Sequence, residues 1–412
     1  MKRGKRPSSS CTSNTPGSIG FAGVANGMML LSFLAVSVSA FVAAVASHPP
    51  VTLHAADATA DVVSLNACRS NSTHIGWIGN NGSGVFETMD EARVKMTKYL
   101  WDNIMPYDVR NAQTIGFDAD ALSSYEHCDS NAETGHQSVS RVMRQQSIIE
   151  GLSDGILNQT LHYSLQAKLL YPWTDVIPRP IYLEYVVPFA VVNEPRTDYR
   201  PLLFDALRES LKGYERSQDN RINIEGWTQT PQAQIKEVVK IINTRLWSIL
   251  GRNSKPIVFQ AVLTPRIYDP LSVIAHGHSS CTGLAILLIA ALRSVGIAAR
   301  MAGTPAWCGK KEIGGNHNWV EVFVPDDTGG QWLFLEPTPF PSANADDLDR
   351  DPCKRWFCTA ERFNGSTKVF ASRFTKDKAG AFYPMSWAVG DDGVPGEDRS
   401  KYYTSICGEC KT

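Results

Sequence analysis

The chain has almost no net charge. Its 412 residues carry 40 Lys and Arg against 41 Asp and Glu, a formal balance of −1 with a pI near 6.8. A nucleic acid or any other strongly charged partner is therefore not indicated. No internal repeat is visible, which excludes an array of similar stacked units. Charge is also missing locally: from Pro7 to Ala56 there is no Asp, Glu, Lys or Arg. That gap follows four basic residues within Met1–Arg6, and inside it Met28–Val45 is an apolar stretch ending in Ala44-Val45-Ala46. The pattern reads as a secretory signal cleaved after Ala46, giving residues 1–46 as a leader. The stretch is also about as long as a short membrane span, so an uncleaved anchor within residues 19–46 is the alternative, and the only membrane contact expected. Basic residues on its N-terminal side place the remainder outside the cytosol in either case.

The sequence has what an exported chain needs. Asn71, Asn81, Asn158 and Asn364 each begin an Asn-X-Ser/Thr acceptor triplet. Of nine cysteines, Cys11 departs with a cleaved leader and Cys281 is assigned below to chemistry. Cys68, Cys128, Cys308, Cys353, Cys358, Cys407 and Cys410 remain, an odd number whose pairing sequence does not reveal. At most three disulfides form among them; Cys353 with Cys358, and Cys407 with Cys410, could instead build a four-thiolate zinc site, and an oxidising compartment favours disulfides. No metal is assigned. Cys407-Gly408-Glu409-Cys410 lacks the βαβ surroundings of a thioredoxin-like motif. The acidic run Asp346–Asp351 has Pro352 where a calcium loop needs glycine, so it reads as a solvated loop.

At 412 residues and 43% hydrophobic content the chain is long enough for two domains. Residues 47–84 are polar and rich in Ser, Asn and Gly, a loose lead-in. The region 85–232 reads as mostly helical: an amphipathic helix from Glu87 to Trp101, Val142–Leu170 in two pieces, and Pro201–Tyr214. The polar run Arg216–Gln232 is the best boundary. A helix over Ala233–Leu250 then opens the segment 233–345, whose texture is different. Pro256–Leu263 is β-like, Cys281 opens a helix that ends at Gly296, and Ala298–Ala302 begins a strand. Val320–Val324 and Trp332–Leu335 read as a strand pair, and Lys368–Phe374 as a short strand inside a C-terminal extension, 346–412, with paired cysteines. One helix against a mainly antiparallel sheet is an α+β layout.

Three residues in this second half carry chemistry. Cys281-Thr282-Gly283 is followed by Leu284–Leu292, which holds no polar side chain. A buried helix whose first turn presents a thiol holds a nucleophile rigidly, and its amide N–H groups favour thiolate. His317 begins an alternating strand segment. Glu336 is an ionisable group inside Trp332-Leu333-Phe334-Leu335-Glu336-Pro337, where a buried carboxylate needs a partner. A hydrogen bond to one ring nitrogen of His317 would satisfy it and leave the other nitrogen for the thiol. His276 and His278 compete for the role of base, and their His-X-His spacing is a weak metal signal without a third ligand. Gln260, Trp307 and Trp319 are candidates for groove lining or an oxyanion donor, set against plain packing, and the Cys281 N–H is a further donor.

The runs Gly277–Ala285, Ala291–Arg300, Ala302–Trp307 and Asn316–Phe323 resemble the transglutaminase-like superfamily. The likeness spans about residues 255–375 and is fainter over 180–250, where Leu183–Phe189, Asn193-Glu194 and Tyr199-Arg200 carry it. The resemblance implies a papain-type core with the thiol helix on a sheet, and a Cys-His-Asp arrangement. Cys281 and His317 match its first two members, and Glu336 stands where Asp is usual. It further implies thioester formation with a peptide or protein amide, without a cofactor. Glutamine acyl transfer and amide hydrolysis both follow from that first step; a secreted cysteine protease or other amidase, and a binding module that keeps the fold, are the alternatives.

Overall fold

The computed structural model describes residues 74–78, 84–109, 154–216, 230–307, 315–339, 348, 355–359, 361–363, 366–376, 381–388 and 390–407. These fall within one compact unit. The expected N-terminal leader, the expected first piece of the 142–170 helix and the acceptor residues Asn71, Asn81 and Asn364 lie outside the described residues.

A hairpin comes first, β1 (His74–Ile78) antiparallel to β2 (Gly84–Thr88). Among the described residues the helices α1 (Met89–Asp102), α2 (Asp154–Leu170), α3 (Arg179–Tyr185) and α4 (Arg200–Leu211) follow. Thr88 and Glu91 cap α1 reciprocally, side chain to backbone in both directions. The second half contains α5 (Pro231–Ile249), β3 (Val258–Phe259), α6 (Pro270–His276), β4 (His278–Ser279) and α7 (Cys281–Ser294). Strands β5 (Ala299–Thr304), β6 (His317–Val324), β7 (Gln331–Leu335), β8 (Phe370–Ser372), β9 (Ala381–Phe382) and β10 (Pro395–Asp398) come next, and helix α8 (Ser400–Cys407) closes the order.

Helix α7 is apolar on every side, so it must be surrounded. Every residue from Thr282 to Ser294 is buried. Strands β5 and β6 cover one flank, and α2, α4, α5 and α6 cover the others. The sheet runs β7-β6-β5-β8-β10-β9 with antiparallel pairings throughout. Met301 faces Val320, and Val320 faces Leu335, so the period-2 alternation turns these side chains into the core around α7. The intervening residues Ala302, Trp319 and Phe334 face the other way, onto Phe357, Phe363 and Tyr403. No helix among the described residues is long and apolar enough to cross a membrane.

Residues 85–232 and 233–345 share one hydrophobic core. Two buried guanidinium groups bind them together. Arg200 donates to the carbonyls of Val186, Val187, Pro188 and Arg293, and Arg293 donates to those of Ala190 and Ala299. Such cations are tolerated in the interior because carbonyl oxygens replace their hydration.

Four expectations need correction. The supposed loose lead-in contains strand β1, and Ile75 and Trp77 lie buried on its inner face. The β-like stretch Pro256–Leu263 shrinks to Val258–Phe259, because Val262 takes a positive φ of 63°, which no strand accommodates. That short strand pairs in parallel with β4. The strand expected over Lys368–Phe374 is confined to Phe370–Ser372. The zinc alternative fails because Cys358 is joined to Cys407 in a disulfide; Cys353 and Cys410 lie outside the described residues.

Candidate active site

The approach to the thiol is built from short, tightly packed pieces. The β4 residues His278 and Ser279 lie against Val258 and Phe259, and the Gln260 N–H donates to the Ser279 carbonyl at 2.8 Å. Ser280 occupies the N-cap of α7, yet its hydroxyl pairs with Thr264 Oγ1 at 2.6 Å and does not cap the helix. The N–H groups of the first turn therefore remain available to a negative charge. Gly283 is required here: a Cβ would sit 2.1 Å from Ser279 Oγ and 2.9 Å from Tyr268 Cα. Close approach of the 268–279 segment to the first turn depends on that missing carbon.

Cys281, His317 and Glu336 come together from three elements. Cys281 starts α7 and is the free cysteine among the described residues, half-buried. His317 starts β6, and Glu336 directly follows β7, its antiparallel neighbour. His317 Nε2 lies 2.6 Å from Glu336 Oε1, both residues being buried. The imidazole also hydrogen-bonds the thiol, which leaves Nδ1 for that contact. Burial pushes the Cys281 thiol up, but His317 beside it, the Asn318 N–H and the Thr282 hydroxyl outweigh burial, and the net direction is down. Burial pulls His317 down, yet hydrogen bonds and charge from Cys281 and Glu336 raise it to about 9. A lowered thiol beside a raised imidazole favours the thiolate–imidazolium form of the pair.

Residues 223–337 match the family model of the transglutaminase-like superfamily. The chain carries a transglutaminase-like domain. No curated protein and no solved structure gave a match. That superfamily is usually one of cysteine-based enzymes, and the matched segment holds all three of these residues.

Around the transglutaminase-like domain stand supports that sequence reasoning missed. Asn243 on α5 donates to the Glu336 carbonyl at 3.0 Å, and its Oδ1 accepts from the Thr338 N–H at 3.0 Å. The Thr338 hydroxyl donates to the Asn243 carbonyl. Asn243 thereby brackets the turn that carries the carboxylate. A polar residue in the middle of an otherwise apolar helical stripe was the available signal. Asn243→Ala would leave a buried carbonyl and a buried N–H without their partner, at a cost of about 2 kcal/mol. Thermal unfolding should show a lower midpoint, and an unchanged midpoint would remove the bracket.

On the other side Trp356 and Phe357 lie over the imidazole, with ring centroids 5.3 and 5.0 Å from that of His317. Both come from the C-terminal extension and lie outside the matched segment. The Cys358–Cys407 disulfide joins this aromatic pair to α8. From α8, Tyr403 donates to Glu321 Oε1 at 2.9 Å and accepts from Trp319 Nε1 at 2.8 Å. Arg300 and Arg399 complete the shell around Glu321.

The remaining candidates are placed as follows. Gln260 has an exposed side chain and lies beside Ser279, two residues before the thiol. Trp319 commits its indole N–H to Tyr403 and stacks on Phe357, which is packing and not an oxyanion donor. Trp307 is buried against Trp356, Phe357 and Phe363. His278 faces His276, with centroids 6.0 Å apart, while the thiol's imidazole partner is His317. No cluster among the described residues could hold a metal ion. Asn158 sits on α2 with its Oδ1 accepting from Arg93 at 3.0 Å, and Thr160 of its sequon is buried.

Proposed function

We propose that the protein is a thiol acyltransferase or amidase acting on the amide of a peptide or protein, with a glutamine side chain as the leading substrate. The observation that carries this reading is the buried line from Glu336 Oε1 through the His317 ring to a thiol at the start of an apolar helix. The Cys281 thiolate adds to the amide carbonyl carbon, forming a C–S bond and an oxyanion. The first-turn N–H groups of α7, including that of Cys281, have no side-chain cap and are the donors we assign to that oxyanion. His317 then gives its Nδ1 proton to the departing nitrogen, the C–N bond breaks, and a thioester and an amine or ammonia result. The now neutral His317 takes a proton from the next nucleophile, which bonds to the thioester carbon as the C–S bond breaks and the Cys281 thiolate is restored. Water gives hydrolysis, and a primary amine such as lysine gives transfer. Glu336 keeps the ring in one orientation and stabilises its cationic form. The leader pattern of residues 1–46 supports a setting outside the cytosol for this reaction.

Incubation with a fluorescent primary amine and a glutamine-rich protein tests the reading. Incorporation identifies a transferase. Release of ammonia or new termini without incorporation identifies a hydrolase. If neither occurs and the thiol resists alkylation at neutral pH, the domain is a binding module and the proposal is lost.

The pH profile of kcat/KM follows from the two shifts. Thiolate is present below the ordinary thiol range because Cys281 is lowered, and the imidazolium persists until pH rises through about 9. Activity should therefore rise on an acid limb that lies below the ordinary thiol range and fall on an alkaline limb near 9, where the leaving group loses its proton donor. A rate that keeps climbing through that region, as for an unassisted thiol, would contradict the pairing.

A further inference from the structure

Behind the thiol runs a buried chain of polar groups that the triad logic does not account for, and its last member, Tyr383, lies outside the matched segment. Tyr383 Oη lies 2.5 Å from Asn318 Oδ1, and Asn318 Nδ2 lies 2.8 Å from Thr282 Oγ1. Thr282 follows Cys281 directly, and its hydroxyl hydrogen-bonds the sulfur. All three side chains are buried. They come from separate places: Thr282 from the first turn of α7, Asn318 from β6 next to His317, and Tyr383 from just after β9. Gly303 on β5 makes the meeting point possible, since a Cβ there would lie 2.2 Å from Asn318 Oδ1 and 2.6 Å from Tyr383 Oη.

We infer that Thr282, Asn318 and Tyr383 form a one-way hydrogen-bond relay that positions a hydroxyl proton on the Cys281 thiolate. The inference rests on Cys281 being the nucleophile. Its direction follows from the donor and acceptor capacities of the groups. A thiolate can only accept, so Thr282 must spend its single O–H on the sulfur. Its oxygen then accepts, which requires the amide NH₂ of Asn318 on that side. The amide oxygen consequently faces Tyr383, whose O–H must donate. Burial and the neighbouring Cys281 and Glu321 hold the phenol well above its ordinary range, so it keeps its proton at any working pH. Tyr383 thus fixes which way the amide points, and the amide fixes which way the hydroxyl points. The three are positioning residues: only Thr282 touches the reacting atom. Links in such a chain polarise one another, so loss of the distal phenol should be felt at the sulfur.

The test is the pH dependence of Cys281 alkylation by iodoacetamide in the full chain, which needs no knowledge of the substrate. Thr282→Val removes the hydroxyl at nearly constant shape and should raise the inflection by about one pH unit, the worth of one hydrogen bond to a charged group. Thr282→Ser keeps the hydroxyl and should restore the original inflection. Tyr383→Phe should move it in the same direction as Thr282→Val, by less. Asn318→Asp, which cannot donate to Thr282, should move it furthest. A merely structural role would lower the unfolding temperature of these variants without moving the inflection. Unshifted inflections in Thr282→Val and Tyr383→Phe, or a Thr282→Ser profile that matches Thr282→Val, overturn the relay. An unaltered chain whose inflection lies in the ordinary thiol range overturns it as well. If the inflections shift as stated but no amide substrate is turned over, the relay stands and the acyl-transfer reading falls.

Discussion

Cys281→Ala should reduce thioester-dependent turnover on the order of ten-thousand-fold or more while leaving a folded protein. The size of the effect follows from what the sulfur does. In the proposed reaction it forms and breaks the covalent bond in every turnover, and no other cysteine among the described residues is free to substitute for it. The mildness of the structural effect follows from its position. The thiol is half-buried at the rim of α7, and the core that holds the helix begins at Thr282. Loss of the sulfur also removes one of the groups that raise His317, so the imidazole should titrate below the value of about 9 that it has beside the thiol. Linkage gives the sign. A raised folded-state value stabilises the protein fully at pH below the unfolded value of His, and this contribution disappears as pH rises through the folded value. Through His317 the variant should therefore lose some stability in mild acid, a loss that fades above about pH 9, and through the lowered thiol it should lose stability above the ordinary thiol range. Amine incorporation, thermal unfolding in mild acid and at alkaline pH, and a His317 titration check the three statements. Incorporation at an unaltered rate would remove Cys281 from the mechanism.

Glu336→Gln should produce the second largest loss, between about a hundredfold and ten-thousandfold in kcat. The substitution keeps shape and keeps an acceptor oxygen within reach of His317 Nε2, which stands 2.6 Å from Oε1. What it removes is the negative charge that favours the imidazolium in a site buried from water. The ring should stay in place but become a poorer proton donor to the leaving nitrogen. Cys281 should remain alkylatable, more slowly near neutral pH, because less imidazolium stands beside the sulfur. Glu336→Ala is the less informative change. It would leave the buried His317 Nε2–H without its partner and cost about 1–3 kcal/mol of stability as well as activity. A kcat for Glu336→Gln equal to that of the unaltered chain would assign the orienting role to another group. The carboxylate is one methylene longer than the Asp usual at this place in the transglutaminase-like pattern. Asn243 holds the carboxylate's own turn through its carbonyl and the following Thr338 N–H, so the Glu336 backbone is held where the longer side chain can reach the ring.

Much of this arrangement was legible in the sequence because its local signals were strong. An apolar run with no polar face admits only a buried helix, so α7 was readable from Leu284 to Leu292. Alternation in Val320–Val324 and Trp332–Leu335 marked the adjacent strands β6 and β7, and Glu336 stood out as an ionisable group at the end of an apolar strand. Elsewhere the signals were present and passed over. Ile75 and Trp77 are two residues apart and both buried, as one face of a hairpin strand should be, but they stand within a polar setting that reads as loop. Asn243 and Tyr383 carried less information still. A single polar residue on a helix and a single tyrosine in an irregular segment are ordinary until their partners are known.

By itself the sequence determined which residues could do chemistry and which elements carry two of them, since nucleophile, base, helix period and strand period are properties of residue type and spacing. Tertiary structure alone decided which groups touch. It set Asn243 against Glu336 across 93 positions, Tyr383 against Asn318 across 65, and Cys358 against Cys407 across 49. The physical reason is that hydrogen bonds and disulfides depend on ångström-scale distance and direction, whereas periodicity reports only which face of an element is buried.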